Sequence, residues 1–210
     1  MLTLKFNDLI PNTKAEAELK KKIQQYLRIM DNVDPDNLNF QTEFAEFYQI
    51  NNSGWKSPAI MRPLFFNTFS AFNEICRNGY KLNYEMVITV LSKISGMPEK
   101  SFSSKILHTL DVNEPIIDSQ LIRKIQNNTS EFKLKTGYSQ SLYATNYTLL
   151  MAIDLHNCLK KYYDILKSEP STISYINDFN EWCKTTNIGI DPSLISETKK
   201  IDFWMWLASQ

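Results

Sequence analysis

Asp118 follows the apolar pair Ile116-Ile117 and precedes Leu121, Ile122 and Ile125, whose spacing predicts a short helix. A carboxylate at that boundary reads as the helix N-cap, held by the first amides of the helix and favoured by its dipole. The same carboxylate, if it faces a cleft, can stabilise positive charge developing on a bound molecule and orient a water toward it. Two lysines, Lys100 and Lys105, stand one predicted helix earlier. Amines so placed contact phosphate, or attack a carbonyl carbon to form a Schiff base.

Two helical patterns have to position these groups. Met86, Val87, Val90, Leu91 and Ile94 recur at helical spacing after an Asn83 cap, and Gly96 stops that helix because it takes positive φ without strain. Ser101 can cap a second helix whose apolar face is Phe102, Ile106, Leu107 and Leu110. Joined by Gly96-Met97-Pro98-Glu99-Lys100, they predict a tight helical hairpin. The chain then turns through Asp111 to Pro115 and reaches Asp118.

Over about residues 86–125, these residues resemble the helix-hairpin-helix superfamily of base-excision DNA glycosylases. There, a Leu-Pro-Gly-Val-Gly-Pro-Lys turn opens the second helix and a Val-Pro-Val-Asp run follows it. The resemblance implies an all-α, two-lobed fold with a groove between the lobes, double-stranded DNA as partner, no cofactor, and a hairpin whose amides grip a phosphate, in that superfamily often with a bound monovalent cation. It puts Asp118 at the catalytic aspartate's position and Gly96, Met97, Glu99, Lys100, Ser101 and Lys105 against DNA.

Two features depart from the pattern. Pro98 replaces the second glycine of the turn and has no N–H to offer a phosphate. Lys100, 18 residues before Asp118, falls near the Schiff-base lysine of bifunctional members but about one residue short of their interval. Keeping the apolar face in register puts Ser101 there instead, which implies a monofunctional enzyme, with Lys100 catalytic only if the enzyme is bifunctional.

The implied activity is hydrolysis of the N-glycosidic bond of a damaged or modified base flipped out of DNA, in repair or in defence against modified foreign DNA. A catalytically inactive helix-hairpin-helix DNA-binding module and an all-α protein-interaction domain are the competing readings.

Composition narrows the class. With 210 residues and 43% apolar content, one domain can bury a sizeable core, expected as a helical lobe over roughly 13–80 plus the C-terminal helices and a hairpin lobe over roughly 83–166. Five glycines and no long alternating runs argue against a β-sandwich or a nucleotide-binding sheet, and no phosphate-cradling glycine loop occurs. No apolar run approaches the roughly eighteen residues of a membrane span, so a soluble, cytoplasmic monomer is expected. Three scattered cysteines and two histidines give no metal-ligand spacing and read as interior filling. Formal net charge is zero, but residues 51–140 hold 11 Lys plus Arg against 7 Asp plus Glu, so the hairpin lies in the more basic part.

Elsewhere, residues 1–12 read as an extended arm, and Thr13 opens a helix to about Met30 carrying a Lys20-Lys21-Lys22 cluster. Phe40, Phe44, Phe47 and Tyr48 mark another helix, and Pro63 begins or kinks the next. NNTSEFKLKTGYSQ reads as a polar loop whose Lys133 and Lys135 could touch DNA and whose Tyr138 could line a base pocket. Long helices are expected over about 141–166 and after Ser168-Glu169-Pro170, and a last helix ends in IDFWMWLAS. Trp55 on a loop and Trp204 in that last helix are further candidates to wedge or stack on a base.

Overall fold

A computed structural model describes residues 6–10, 13–50, 58–118, 121–123, 125, 129–142, 147–186 and 189–207. Its elements are helical: α1 (Phe6–Leu9), α2 (Thr13–Asp31), α3 (Leu38–Phe47), α4 (Pro58–Arg77), α5 (Tyr84–Ser95), α6 (Lys100–Leu110), α7 (Thr129–Thr136), α8 (Leu149–Lys167), α9 (Pro170–Thr185), a 3₁₀ turn (Pro192–Leu194) and α10 (Glu197–Leu207). No strand occurs among the described residues, so the expectation of an all-α chain holds. None of the helices among them is long and apolar enough to cross a membrane.

The hairpin forms as its sequence dictates. Asn83 accepts the Met86 N–H at 2.9 Å to open α5, and Gly96 closes it at φ 76°, in the left-handed region. Helix α6 begins at Lys100 without a side-chain cap, so Ser101 lies inside its first turn and is not the cap expected of it. Val87, Ile88 and Leu91 are buried on one side of α5, whereas Met86 and Val90 face outward. On α6, Ile106 and Leu107 are buried.

Long-range contacts then fix the hairpin in the bundle. Helix α5 packs on α6, α4 and α8. The Tyr84 ring stacks on His156 of α8 with centroids 4.0 Å apart, and its hydroxyl donates to the Lys100 carbonyl at 3.0 Å. Burial pushes the His156 imidazole down to about 3, so it is a neutral interior group there.

Helix α10 closes the molecule, packing on α9, α8 and α1. One connected core runs from Phe6 to Leu207. All three cysteines are free thiols, Cys158 and Cys183 buried and Cys76 half-buried.

Four further expectations are corrected. The N-terminal arm contains a helical turn, because Phe6 buries its ring among Tyr175, Phe179 and Trp182 at 5.4 to 5.8 Å. The polar stretch after residue 128 is helix α7. It anchors through Phe132, packed on Tyr162 at 5.3 Å, and an i,i+4 pair of Glu131 with Lys135 at 2.8 Å supports its exposed side. Pro58 takes the first position of α4, where a missing N–H does no harm, so Pro63 does not begin that helix but lies inside it. The long helix α8 starts at Leu149, where Thr148 accepts the Met151 N–H, rather than near residue 141.

Candidate functional site

A cleft of about 910 Å³ opens beside the hairpin. One wall is the N-terminal part of α6 with the segment from Ile116 to Arg123. The rest of the lining comes from α2, the end of α3 and α10.

Asp118 lines this cleft and is also a true N-cap. Its Oδ1 accepts the Leu121 N–H at 2.7 Å, and its backbone carbonyl accepts the Ile122 N–H at 3.1 Å. These bonds fix the carboxylate at the positive end of the short helix that follows.

Its approach is tied directly to the hairpin. The Ile117 N–H donates to Ser104 Oγ at 2.9 Å, and the fully buried Ser104 hydroxyl donates to the Ser101 carbonyl, also at 2.9 Å. Ile116 and Ile117 are themselves buried. A two-bond chain therefore sets Asp118 relative to the first turn of α6.

Both hairpin lysines reach the cleft. Lys100 lies 3.3 Å from the Tyr147 ring centroid, and partial burial draws its ammonium down to about 8. Lys105 is 7% exposed and donates to the Tyr48 carbonyl at 2.9 Å. Burial also pushes it down to about 8, against the pull of Asp118, while Lys199 adds to the depression.

Lys199 and Asp202 of α10, also in the cleft lining, form a second charged group. The Lys199 ammonium sits among four rings, 5.1 Å from the centroids of Tyr26 and Phe203, 5.3 Å from Phe47 and 5.7 Å from Tyr48. Its carboxylate neighbour is Asp202, with Oδ2 at 3.7 Å. Burial holds the Lys199 ammonium below the ordinary lysine range, opposed by Asp202 and Asp118.

Tyr163 donates to the other oxygen of Asp202, Oδ1. Burial raises that carboxyl to about 6, although Lys199 and Tyr163 favour its charged form. The ring cage is braced from below: His108 Nδ1 donates to the Glu114 carbonyl at 2.7 Å, leaving Nε2 to accept the Tyr26 hydroxyl at 3.3 Å. Burial pushes that imidazole to about 3, in keeping with a neutral ring in this pair of bonds.

Compared with protein-family models, curated proteins and solved structures, the chain matches none of them.

Of the residues singled out in the sequence, Asp118, Lys100, Ser101 and Lys105 come together in the cleft. Gly96, Met97 and Glu99 form the turn at its edge but do not line it, and burial raises the Glu99 carboxyl. Lys133, Lys135, Tyr138 and Trp204 do not line it either. Lys135 is held between Glu131 and Glu169, and Tyr138 is buried against Phe132. Trp204 is 1% exposed and stacks on Tyr175, so it is a core ring. Trp55 falls outside the described residues.

Sequence reasoning missed Arg123, Lys199 and Asp202, which line the cleft together with Lys22 of the lysine cluster and Trp206 of the last helix. The signal lay in ETKKIDFWMWL, where charges interleave with apolar residues instead of segregating to one face. A helix patterned that way must bury some charges. Here Lys199 and Lys200 are each 5% exposed.

Proposed function

We propose that the chain is a monofunctional DNA glycosylase, hydrolysing the N-glycosidic bond of a damaged or modified base extruded from double-stranded DNA, in repair or in defence against modified foreign DNA. One observation carries this reading: Asp118, fixed by its own helix, opens on the same cleft as the N-terminal turn of the hairpin's second helix. In this reading the cleft is the groove between a lobe of residues roughly 13–80 with the C-terminal helices and a lobe of roughly 83–166.

The chemistry follows from the bond broken. Loss of a base leaves oxocarbenium character on the deoxyribose, so a carboxylate held against the anomeric carbon stabilises the developing charge and orients the attacking water. The Leu121 N–H bond keeps Asp118 pointed without a rearrangement during reaction. The extruded base needs a pocket with apolar walls, and Phe47, Phe203 and Trp206 stand in the cleft lining. Lys22, Lys100 and Arg123 bring positive charge to the cleft lining for the phosphate backbone.

The phosphate grip is weaker than the superfamily's. Pro98 has no N–H, the Lys100 amide is turned onto the Pro98 carbonyl at 2.9 Å, and the Met97 amide onto Ser95 Oγ at 3.3 Å. The carbonyls of Met97 and Pro98 each accept one internal bond, from Ser95 Oγ and from Lys100 N.

Those engaged amides favour a second reading, a catalytically silent DNA-binding module with the same fold. A mass-spectrometric screen for released bases over DNAs carrying different modifications separates the two. Release of a free base supports the enzyme, and duplex binding without release of any base supports the module.

A further inference from the structure

On the glycosylase reading of the cleft, we propose that Asp202 and Lys199 read the extruded base by a lactam edge. Asp202 Oδ2 accepts the ring N–H, and the Lys199 ammonium donates to the adjacent carbonyl oxygen.

The geometry supplies an acceptor and a donor side by side. Asp202 Oδ1 is committed to the Tyr163 hydroxyl, whereas Oδ2 is buried without a hydrogen-bond partner among the described residues. Lys199 Nζ stands 3.7 Å from Oδ2, inside ion-pair range but too far for a hydrogen bond between them. Both residues line the cleft. A buried carboxylate oxygen left unpaired is costly, and a ligand N–H is the group that would satisfy it.

The ring cage then holds the ammonium in place, and α10 holds the carboxylate at i,i+3 from it. An edge with N–H and C=O next to each other matches this pair.

Hypoxanthine, uracil and 8-oxoguanine carry such an edge. An ethenoadenine does not, since it offers only acceptors there. A cationic alkylated base is disfavoured because Lys199 already occupies the faces of Tyr26 and Phe47 that would bind it. Guanine and thymine share the lactam edge, so discrimination against them falls to the cost of extruding a sound pair.

Substituting Asp202→Asn should invert the preference. The Asn carbonyl oxygen takes the Tyr163 hydroxyl, and the amide NH₂ then replaces Oδ2, setting a donor against the ring N–H.

The test uses the full chain with duplexes carrying a single hypoxanthine, uracil, 8-oxoguanine, 1,N6-ethenoadenine or 3-methyladenine, scored for base release. In parallel, binding of free hypoxanthine, uracil, adenine and 3-methyladenine is measured by NMR line broadening. Release and binding should favour lactam bases at least about tenfold, and Asp202→Asn should lower both for those bases about 30-fold or more. Equal or better release of ethenoadenine or 3-methyladenine by the wild type overturns the lactam assignment and leaves the glycosylase reading standing. Lactam-selective binding of free bases, lost in Asp202→Asn but without release from any duplex, supports the assignment and overturns the glycosylase reading. Binding and release without any selectivity overturn the assignment whether or not the variant folds.

Discussion

Asp118 has two roles that different substitutions separate. Asn caps a helix about as well as Asp, so Asp118→Asn should stay within about 0.5 kcal/mol of the wild-type stability, whereas Asp118→Ala should lose about 1 kcal/mol. Chemical denaturation of both variants checks this, and an Asn variant as unstable as the Ala one would mean the carboxylate's charge is needed for the fold. For Asp202, burial raises the folded pKa to about 6, against about 3.9 for an exposed aspartate, with Lys199, Asp118 and Tyr163 the charged and titratable groups acting on it. The folded state therefore holds that proton more tightly between pH 4 and 6. Wild-type stability measured against Asp202→Asn should be greatest below about pH 4 and fall as pH rises through about 6. Melting curves of the two proteins across that range test it, and a flat difference would contradict the burial of that group. The lysines carry a third expectation. Lys105 is held by the Tyr48 carbonyl and Lys100 by the Tyr147 ring, so borohydride should trap no covalent adduct with abasic DNA. An adduct lost in Lys100→Ala would make the enzyme bifunctional.

Ser104 is where the hairpin hands its geometry to Asp118. Ser104→Ala removes the acceptor for the buried Ile117 N–H and should cost about 1 to 3 kcal/mol. Base release should fall further than stability alone explains, because Asp118 follows Ile117; a destabilised variant with unchanged kcat would mean that the bond only supports the fold. The same elements mark how far the sequence could be read. Gly96, Asn83 and the Asp118 cap were legible because each rests on a local backbone need, a positive φ or an unpaired amide. The helix at Thr129–Thr136 was not, since a single buried ring and one ion pair make it a helix without apolar periodicity. Trp204 and Trp206 differ by register alone: two residues along α10 turn one ring onto Tyr175 and the other into the cleft. Lys199 and Asp202 were hidden for a related reason. Their burial depends on α2 and α3 arriving from far along the chain to supply Tyr26, Phe47 and Tyr48.

Taken whole, the molecule is electrically balanced, with 23 basic and 23 acidic residues. On the proposed function, DNA affinity would come from a local set of charges, and the cleft lining offers Lys22, Lys100 and Arg123. The slope of log affinity against log salt should have a magnitude of about 3, and binding indifferent to salt would point instead to a protein-interaction domain. The most direct measurement is base release by mass spectrometry from modified duplexes, run with the wild type and Asp118→Asn side by side while duplex binding is followed. The wild type should free a base from at least one of them, and the variant should be slower by about 10²-fold or more with binding retained. Release by Asp118→Asn at the wild-type rate would contradict the account.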